Sequence, residues 1–250
     1  DPLTQEVLWD VYNMESVEDR DISDITGDGT GDLAVLSSLG SNSPVRSIIA
    51  VDRITGEELW KHTVSLANLS SKGARDITLE NDFTGDGKID VLAYRQSDVL
   101  DDLLEMGNHT FVFVIDGADG SLFWERPVTE HLFFNSSLNS SQGLYEYWNL
   151  VNRRIASIDA APDLSGDGIP DIFVGGQSGK VYLLDGADGS QIWNMTQNNI
   201  SWLPWYPQII SVEDGSPAGL FITDFSTLIY FSNISSKGSL SANFSWRYPG

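Results

Sequence analysis

Short apolar runs alternate with clusters of Asp, Gly, Ser and Thr along the chain. Leu33-Ala34-Val35-Leu36, Val91-Leu92-Ala93-Tyr94 and Ile172-Phe173-Val174-Gly175 each follow turn-forming residues. Runs this short and partly β-branched read as buried strands, because a helix needs a longer periodic segment. A second set brackets a turn. Ala50-Val51, Val114-Ile115 and Leu183-Leu184 precede it, and Leu59-Trp60, Phe123-Trp124 and Ile192-Trp193 follow it. The intervening pattern is D-x-x-[T/D]-G-x-x-apolar-Trp, starting at Asp52, Asp116 and Asp185. It predicts a hairpin. The Asp bonds the turn backbone, the Gly takes the left-handed position, and the Trp opens the outgoing strand with a large surface to bury.

The first set of runs is introduced by a nonapeptide, D-x-[T/S]-G-D-G-x-x-D, present three times: 24–32, 82–90 and 163–171. Carboxylates at positions 1, 5 and 9, a hydroxyl at position 3 and a glycine at position 6 describe a loop around a hard cation. Calcium takes six to eight oxygens, and such loops supply them at alternate positions. The expected ligands are Asp24, Thr26, Asp28, Thr30 and Asp32; Asp82, Thr84, Asp86, Lys88 and Asp90; and Asp163, Ser165, Asp167, Ile169 and Asp171. An EF-hand would need a bidentate Glu at position 12 and flanking helices. Position 12 is Val35, Ala93 or Val174, inside a strand-like run, so position 9 closes each site. The competing reading is a metal-free Asp-Gly hairpin turn, which does not require three aligned carboxylates.

The two patterns run in step: strand, metal loop, strand, longer connection, strand, Asp/Gly turn, Trp strand. That is an all-β chain of four-stranded antiparallel units at 20–64, 73–129 and 153–197. A fourth unit at 207–248 keeps its strand runs, including Leu228-Ile229-Tyr230-Phe231 and Phe244-Ser245-Trp246. It lacks a metal loop, since Glu213-Asp214-Gly215-Ser216 has lost the carboxylate spacing. Val7-Leu8-Trp9 reads as an extra N-terminal strand. Repetition of four-stranded units at this period is the mark of a β-propeller. The nonapeptide resembles the FG-GAP calcium repeat of integrin α-type propellers, with Thr26, Thr84 and Ser165 where that family usually has Asn or Asp. The hairpin pattern resembles quinoprotein-like (PQQ-like) propeller blades. The resemblance implies a propeller with about three Ca²⁺ held as rigid staples on one face. Four units fall short of the usual ring, so the chain is expected to be part of a longer protein, or to pair its end strands with another copy.

Charge and composition narrow the surroundings. Net charge is −22, and three Ca²⁺ would return six charges to leave about −16. That excludes nucleic acid, whose phosphates need a basic face. The chain has no cysteine, which excludes disulfides and thiolate chemistry. It has no apolar run long enough for a transmembrane helix. Eight of the fourteen Asn residues lie in N-x-[S/T] sequons: Asn68, Asn108, Asn135, Asn139, Asn194, Asn199, Asn233 and Asn243. Sequons mark exposed sites in exported proteins. With the acidity and the missing cysteines they resemble an archaeal cell-surface glycoprotein.

Two insertions interrupt the pattern. Residues 96–109 carry Val99, Leu100, Leu103 and Leu104 at near-helical spacing, which predicts a short amphipathic helix. Residues 129–150 carry Phe133, Phe134, Tyr145, Tyr147 and Trp148, and Trp202 to Pro207 adds a third aromatic stretch. Such loops either fold over blade ends or bind sugars or partners. No catalytic constellation is legible. His62, His109 and His131 have no metal-ligand spacing, and no nucleophile elbow or phosphate loop occurs. The expected function is a non-catalytic, calcium-binding extracellular propeller in structure, adhesion or assembly. Its partners would be surface proteins, glycans or copies of itself. Two alternatives remain: a quinoprotein-like dehydrogenase or calcium-dependent polysaccharide-processing enzyme, and a glycan-binding module using the aromatic loops.

Overall fold

The structure is a computed structural model. It describes residues 16–38, 45–65, 70–79, 81–100, 106–128, 155–176, 180–196, 208–212, 219–223, 227–232 and 241–247. Val7-Leu8-Trp9, the aromatic insertion 129–150 and Trp202 to Pro207 lie outside them.

The described residues form four antiparallel sheets of four strands each, every strand pairing with its neighbour in sequence. The first contains β1 (Ser16–Ser23), β2 (Asp32–Ser38), β3 (Val45–Val51) and β4 (Glu58–Ser65). The second contains β5 (Ser70–Thr78), β6 (Val91–Leu100), β7 (Met106–Ile115) and β8 (Leu122–Pro127). The third contains β9 (Ile155–Ala161), β10 (Asp171–Gly176), β11 (Lys180–Leu184) and β12 (Gln191–Thr196). The fourth contains β13 (Gln208–Val212), β14 (Gly219–Thr223), β15 (Thr227–Ser232) and β16 (Ser241–Arg247). Leading strands of successive sheets meet: β1 packs on β5, β5 on β9 and β9 on β13. The sheets therefore stack face to face with their first strands innermost. This is the all-β fold of a partial β-propeller.

Packing explains why the strand runs are apolar at every position rather than at every second one. In β6, Val91 and Ala93 enter a core with Ala34, Leu36, Ile48 and Ala50 of the first sheet. Leu92 and Tyr94 point the other way, into a core with Ile158, Ala160, Ile172 and Val174 of the third. Successive side chains leave a strand on opposite faces. A sheet covered on both sides must therefore be apolar on both. In β7, Phe113 and Ile115 join the first core, and Val112 and Val114 the second.

The helix expected within 96–109 is corrected for residues 96–100 and 106–109; residues 101–105, with Leu103 and Leu104, lie outside the described residues. The described part of that segment is strand. Pairing of β6 with β7 runs unbroken from Val91↔Ile115 to Leu100↔Met106. The reason is local. A helix this short has a costly nucleus, whereas lengthening an existing hairpin adds a ladder bond for each backbone group it orders.

Candidate metal loops and the turns beneath them

The three nonapeptides occupy equivalent places, joining β1 to β2, β5 to β6 and β9 to β10. Each is organised by its carboxylates acting on backbone N–H groups. At position 1, Asp24 accepts from Gly27 (2.8 Å), Asp28 (3.1 Å) and Gly29 (2.8 Å). Asp82 accepts from Gly85 (2.6 Å), Asp86 (3.2 Å) and Gly87 (2.8 Å). Asp163 accepts from Gly166 (2.6 Å) and Gly168 (2.8 Å). Position 5 accepts from position 7: Asp28 from Thr30, Asp86 from Lys88 and Asp167 from Ile169, at 2.7–2.9 Å. Such inward N–H groups require the chain to curl, and the glycines at positions 4 and 6 supply it with φ of 77–92°.

Position 9 behaves differently. Asp32, Asp90 and Asp171 are buried. Asp90 accepts from Phe83 (2.7 Å) and Thr84 (2.8 Å) within its loop and from Gly117 (2.8 Å) in the β7–β8 turn. Asp171 accepts from Leu164 (2.7 Å), Ser165 (2.9 Å) and Gly186 (3.4 Å). Asp32 accepts from Thr26 at 3.0 Å. In the second and third sheets this aspartate ties the loop to the neighbouring turn.

Electrostatics follows from these surroundings. Burial raises the Asp90 carboxyl above its ordinary range despite three N–H donors. Burial likewise pushes Asp171 up to about 6. The Gly166 N–H holds the exposed Asp163 below its ordinary value.

The loops suit a hard cation in donor chemistry, since the side chains at positions 1, 3, 5 and 9 offer only oxygen. At position 3, the Thr84 hydroxyl donates to Asp82 (3.3 Å) and the Ser165 hydroxyl to Asp163 (3.1 Å). The Thr26 hydroxyl is buried without a hydrogen-bond partner. Among the described residues, no three Asp, Glu or His side chains converge as a metal cluster.

Below the loops lie the Asp/Gly turns, and they carry the contact between sheets. The Trp60 indole N–H donates to the Gly117 carbonyl at 2.7 Å, and the Trp124 indole N–H to the Gly186 carbonyl at 2.8 Å. Each Trp covers the next sheet's turn. A methyl group at Gly120 would stand 2.8 Å from the Trp60 ring, and one at Gly189 2.6 Å from the Trp124 ring. His62 Nδ1 lies 3.0 Å from the Gly120 carbonyl, which gives this histidine a contact between sheets.

A compensation within the repeat carries a signal the motif reading missed. A methyl at Gly117 would collide with the Ile89 carbonyl, and one at Gly186 with the Pro170 carbonyl. Where the turn has Arg53 instead, loop position 8 is Gly31, and Arg53 Nε donates to its carbonyl at 2.8 Å. Reading loop position 8 together with turn position 2 finds this contact in sequence.

Of the eight sequons, Asn194 is exposed on β12. Asn108 and Asn243 lie on β7 and β16. Asn68, Asn135, Asn139, Asn199 and Asn233 lie outside the described residues. No helix among those residues is long and apolar enough to cross a membrane.

Known structures resemble this arrangement. The chain superposes on Saccharomyces cerevisiae Sqt1 with a TM-score of 0.57 at 14% identity, over 93% of this chain and 50% of that one. For the rhamnogalacturonan lyase YesW the TM-score is 0.53 at 16% identity, over 90% and 42%. For BBS1N, solved in complex with ARL6DN, it is 0.52 at 12% identity, over 95% and 60%. The chain thus spans about half the length of these structures. No protein-family model matches the chain, and no curated protein matches it. The likeness defines the class of the molecule, a propeller-type β protein, and concerns the fold alone.

Proposed function

We propose that this chain is a non-catalytic, calcium-binding part of an extracellular β-propeller glycoprotein, with a structural, adhesive or assembly role at a cell surface. One observation carries the reading: three loops of one design recur at equivalent places in consecutive sheets. Each offers oxygen side chains at positions 1, 3, 5 and 9, and in one of them a buried Thr26 hydroxyl has no partner. Bound Ca²⁺ would supply positive charge that offsets the loop carboxylates. Asp24, Asp28 and Asp32, with their counterparts Asp82, Asp86, Asp90, Asp163, Asp167 and Asp171, would hold it. Thr26, Thr84 and Ser165 would add hydroxyls, and Thr30, Lys88 and Ile169 backbone carbonyls. The sequons, with Asn194 exposed, support an exported location. The partners this reading favours are surface proteins, glycans or further copies of the chain.

Calcium bound only to the folded state stabilises it by RT ln(1 + [Ca]/Kd), about 2.7 kcal/mol per site at 100 Kd. The thermal midpoint is expected to rise with Ca²⁺ over EGTA, while Mg²⁺ at equal concentration gives a smaller rise. An unchanged midpoint rejects calcium binding.

A further inference from the structure

The chain contains eight Asp-Gly pairs, and an Asp-Gly pair carries a chemistry of its own. The glycine nitrogen can attack the aspartyl Cγ, because a following residue with no Cβ leaves the approach open. Seven of the eight pairs lie among the described residues. Three occupy positions 5 and 6 of the loops: Asp28-Gly29, Asp86-Gly87 and Asp167-Gly168. The other four build the hairpin turns: Asp116-Gly117, Asp119-Gly120, Asp185-Gly186 and Asp188-Gly189. As dipeptides they are identical, and the fold divides them.

In the turns every one of these glycines is buried. Gly120 lies under the Trp60 ring and Gly189 under the Trp124 ring, while Gly117 and Gly186 abut the Ile89 and Pro170 carbonyls. Their nitrogens are held by groups fixed in place. Gly120 and Gly189 donate at 2.8 Å to the main-chain carbonyls of Asp116 and Asp185. Gly117 donates to the buried Asp90 carboxylate at 2.8 Å, and Gly186 to that of Asp171 at 3.4 Å. In the loops, both residues of each pair are exposed. A methyl group at Gly29, Gly87 or Gly168 would meet nothing within 4 Å. Their nitrogens donate at 2.8 Å to the side chains of Asp24, Asp82 and Asp163. None of those three aspartates is buried, so water can replace them as acceptors.

We propose that Asp28, Asp86 and Asp167 are sites of spontaneous isomerisation to isoaspartate, and that the fold protects the turn aspartates from the same reaction. The glycine nitrogen bonds to Cγ of the carboxyl in its acid form. The carboxyl hydroxyl leaves with the amide proton as water, and a cyclic imide remains. Water then adds at one of the two imide carbonyls. Breaking the new N–Cγ bond restores aspartate. Breaking the original peptide bond leaves the chain running through Cγ, with a free carboxylate on Cα. The composition is unchanged, and the main chain gains a methylene. Open space around the loop glycines admits that methylene. A close-packed turn has no room for it and must first open. An isomerised loop loses the spacing of its motif. Under the calcium reading it would also lose its position-5 ligand, but the isomerisation does not rest on that reading.

The test ages the full chain in EGTA, at neutral pH and physiological temperature in H₂¹⁸O, beside the same chain unfolded in guanidinium chloride. Peptide mapping with electron-transfer fragmentation locates isoaspartate at each pair, because cleavage of its Cα–Cβ bond gives fragments that aspartate does not. In the folded chain Asp28, Asp86 and Asp167 are expected to convert at rates approaching those of the unfolded chain. Asp116, Asp119, Asp185 and Asp188 are expected to convert about tenfold or more slowly than when unfolded, since each reaction waits on local opening. Each isoaspartate formed is expected to carry solvent oxygen from imide hydrolysis. Folded-state rates at the loops no faster than those at the turns would overturn the proposal. So would isoaspartate formed without solvent oxygen.

Discussion

At the residue scale, the two roles of glycine in this repeat separate cleanly. Gly87 and Gly120 both have positive φ, 88° and 77°. A methyl at Gly87 meets nothing within 4 Å, whereas one at Gly120 presses on the Trp60 ring. Gly87→Ala should therefore cost only the left-handed backbone term, about 1–2 kcal/mol. Gly120→Ala adds an overpacking cost of about 1–3 kcal/mol. Urea midpoints compare the two directly, and equal losses would mean that the Trp60 contact contributes nothing. Asp90 gives a second test. Asn at this position keeps one acceptor oxygen and turns an amide toward N–H groups of Phe83, Thr84 and Gly117. Asp90→Asn should lose about 1–3 kcal/mol per donor left unpaired. Measured in EGTA, this loss is independent of calcium. The loop motif marks Asp90 by its spacing, but its bond to Gly117, 27 residues on, is not in the motif.

At the element scale, the hairpin turns are stabilised by carboxylates held below their ordinary range. The chief cause is the Thr55 N–H for Asp52, the Ser121 N–H for Asp119 and the Ser190 N–H for Asp188. Each folded value lies under the unfolded value of about 3.9. Their contribution is thus complete above that value and is lost as pH falls through the folded values. Below about pH 4 the urea midpoint should fall more steeply in the parent chain than in Asp119→Asn/Asp188→Asn, while Asp171, raised to about 6, acts in the opposite sense between about pH 6 and pH 4 in both. Parallel curves would remove the turns from acid sensitivity. The strand runs were legible as elements because both faces of a covered sheet need apolar residues. The segment within 96–109 was not. Val99, Leu100, Leu103 and Leu104 satisfy a helical spacing, and only the pairing of Val99 with Gly107 and of Leu100 with Met106 across the hairpin makes the first two strand.

At the scale of the whole molecule, a charge of −22 on a stack of sheets implies self-repulsion. Salt screens exposed charges over about 10 Å at 0.1 M. The thermal midpoint in EGTA should rise with NaCl, and the rise should be smaller once calcium has lowered the charge. A midpoint indifferent to salt would show that the carboxylates are already compensated within their loops and turns. The sequence by itself determined the all-β fold, the four-stranded repeat and the identity of the loop carboxylates. Each of these depends on local spacing: turn glycines, short continuous apolar runs, and aspartates close enough in sequence to share one loop. Tertiary structure alone decided which turns Trp60 and Trp124 cover. It also decided that position 9 is a buried tie to the neighbouring turn, and that Gly117 and Gly186 must yield to a carbonyl of the loop beside them. Those contacts join residues 15 to 62 positions apart. They follow from sheets stacking face to face, a geometry that no single stretch of the chain contains.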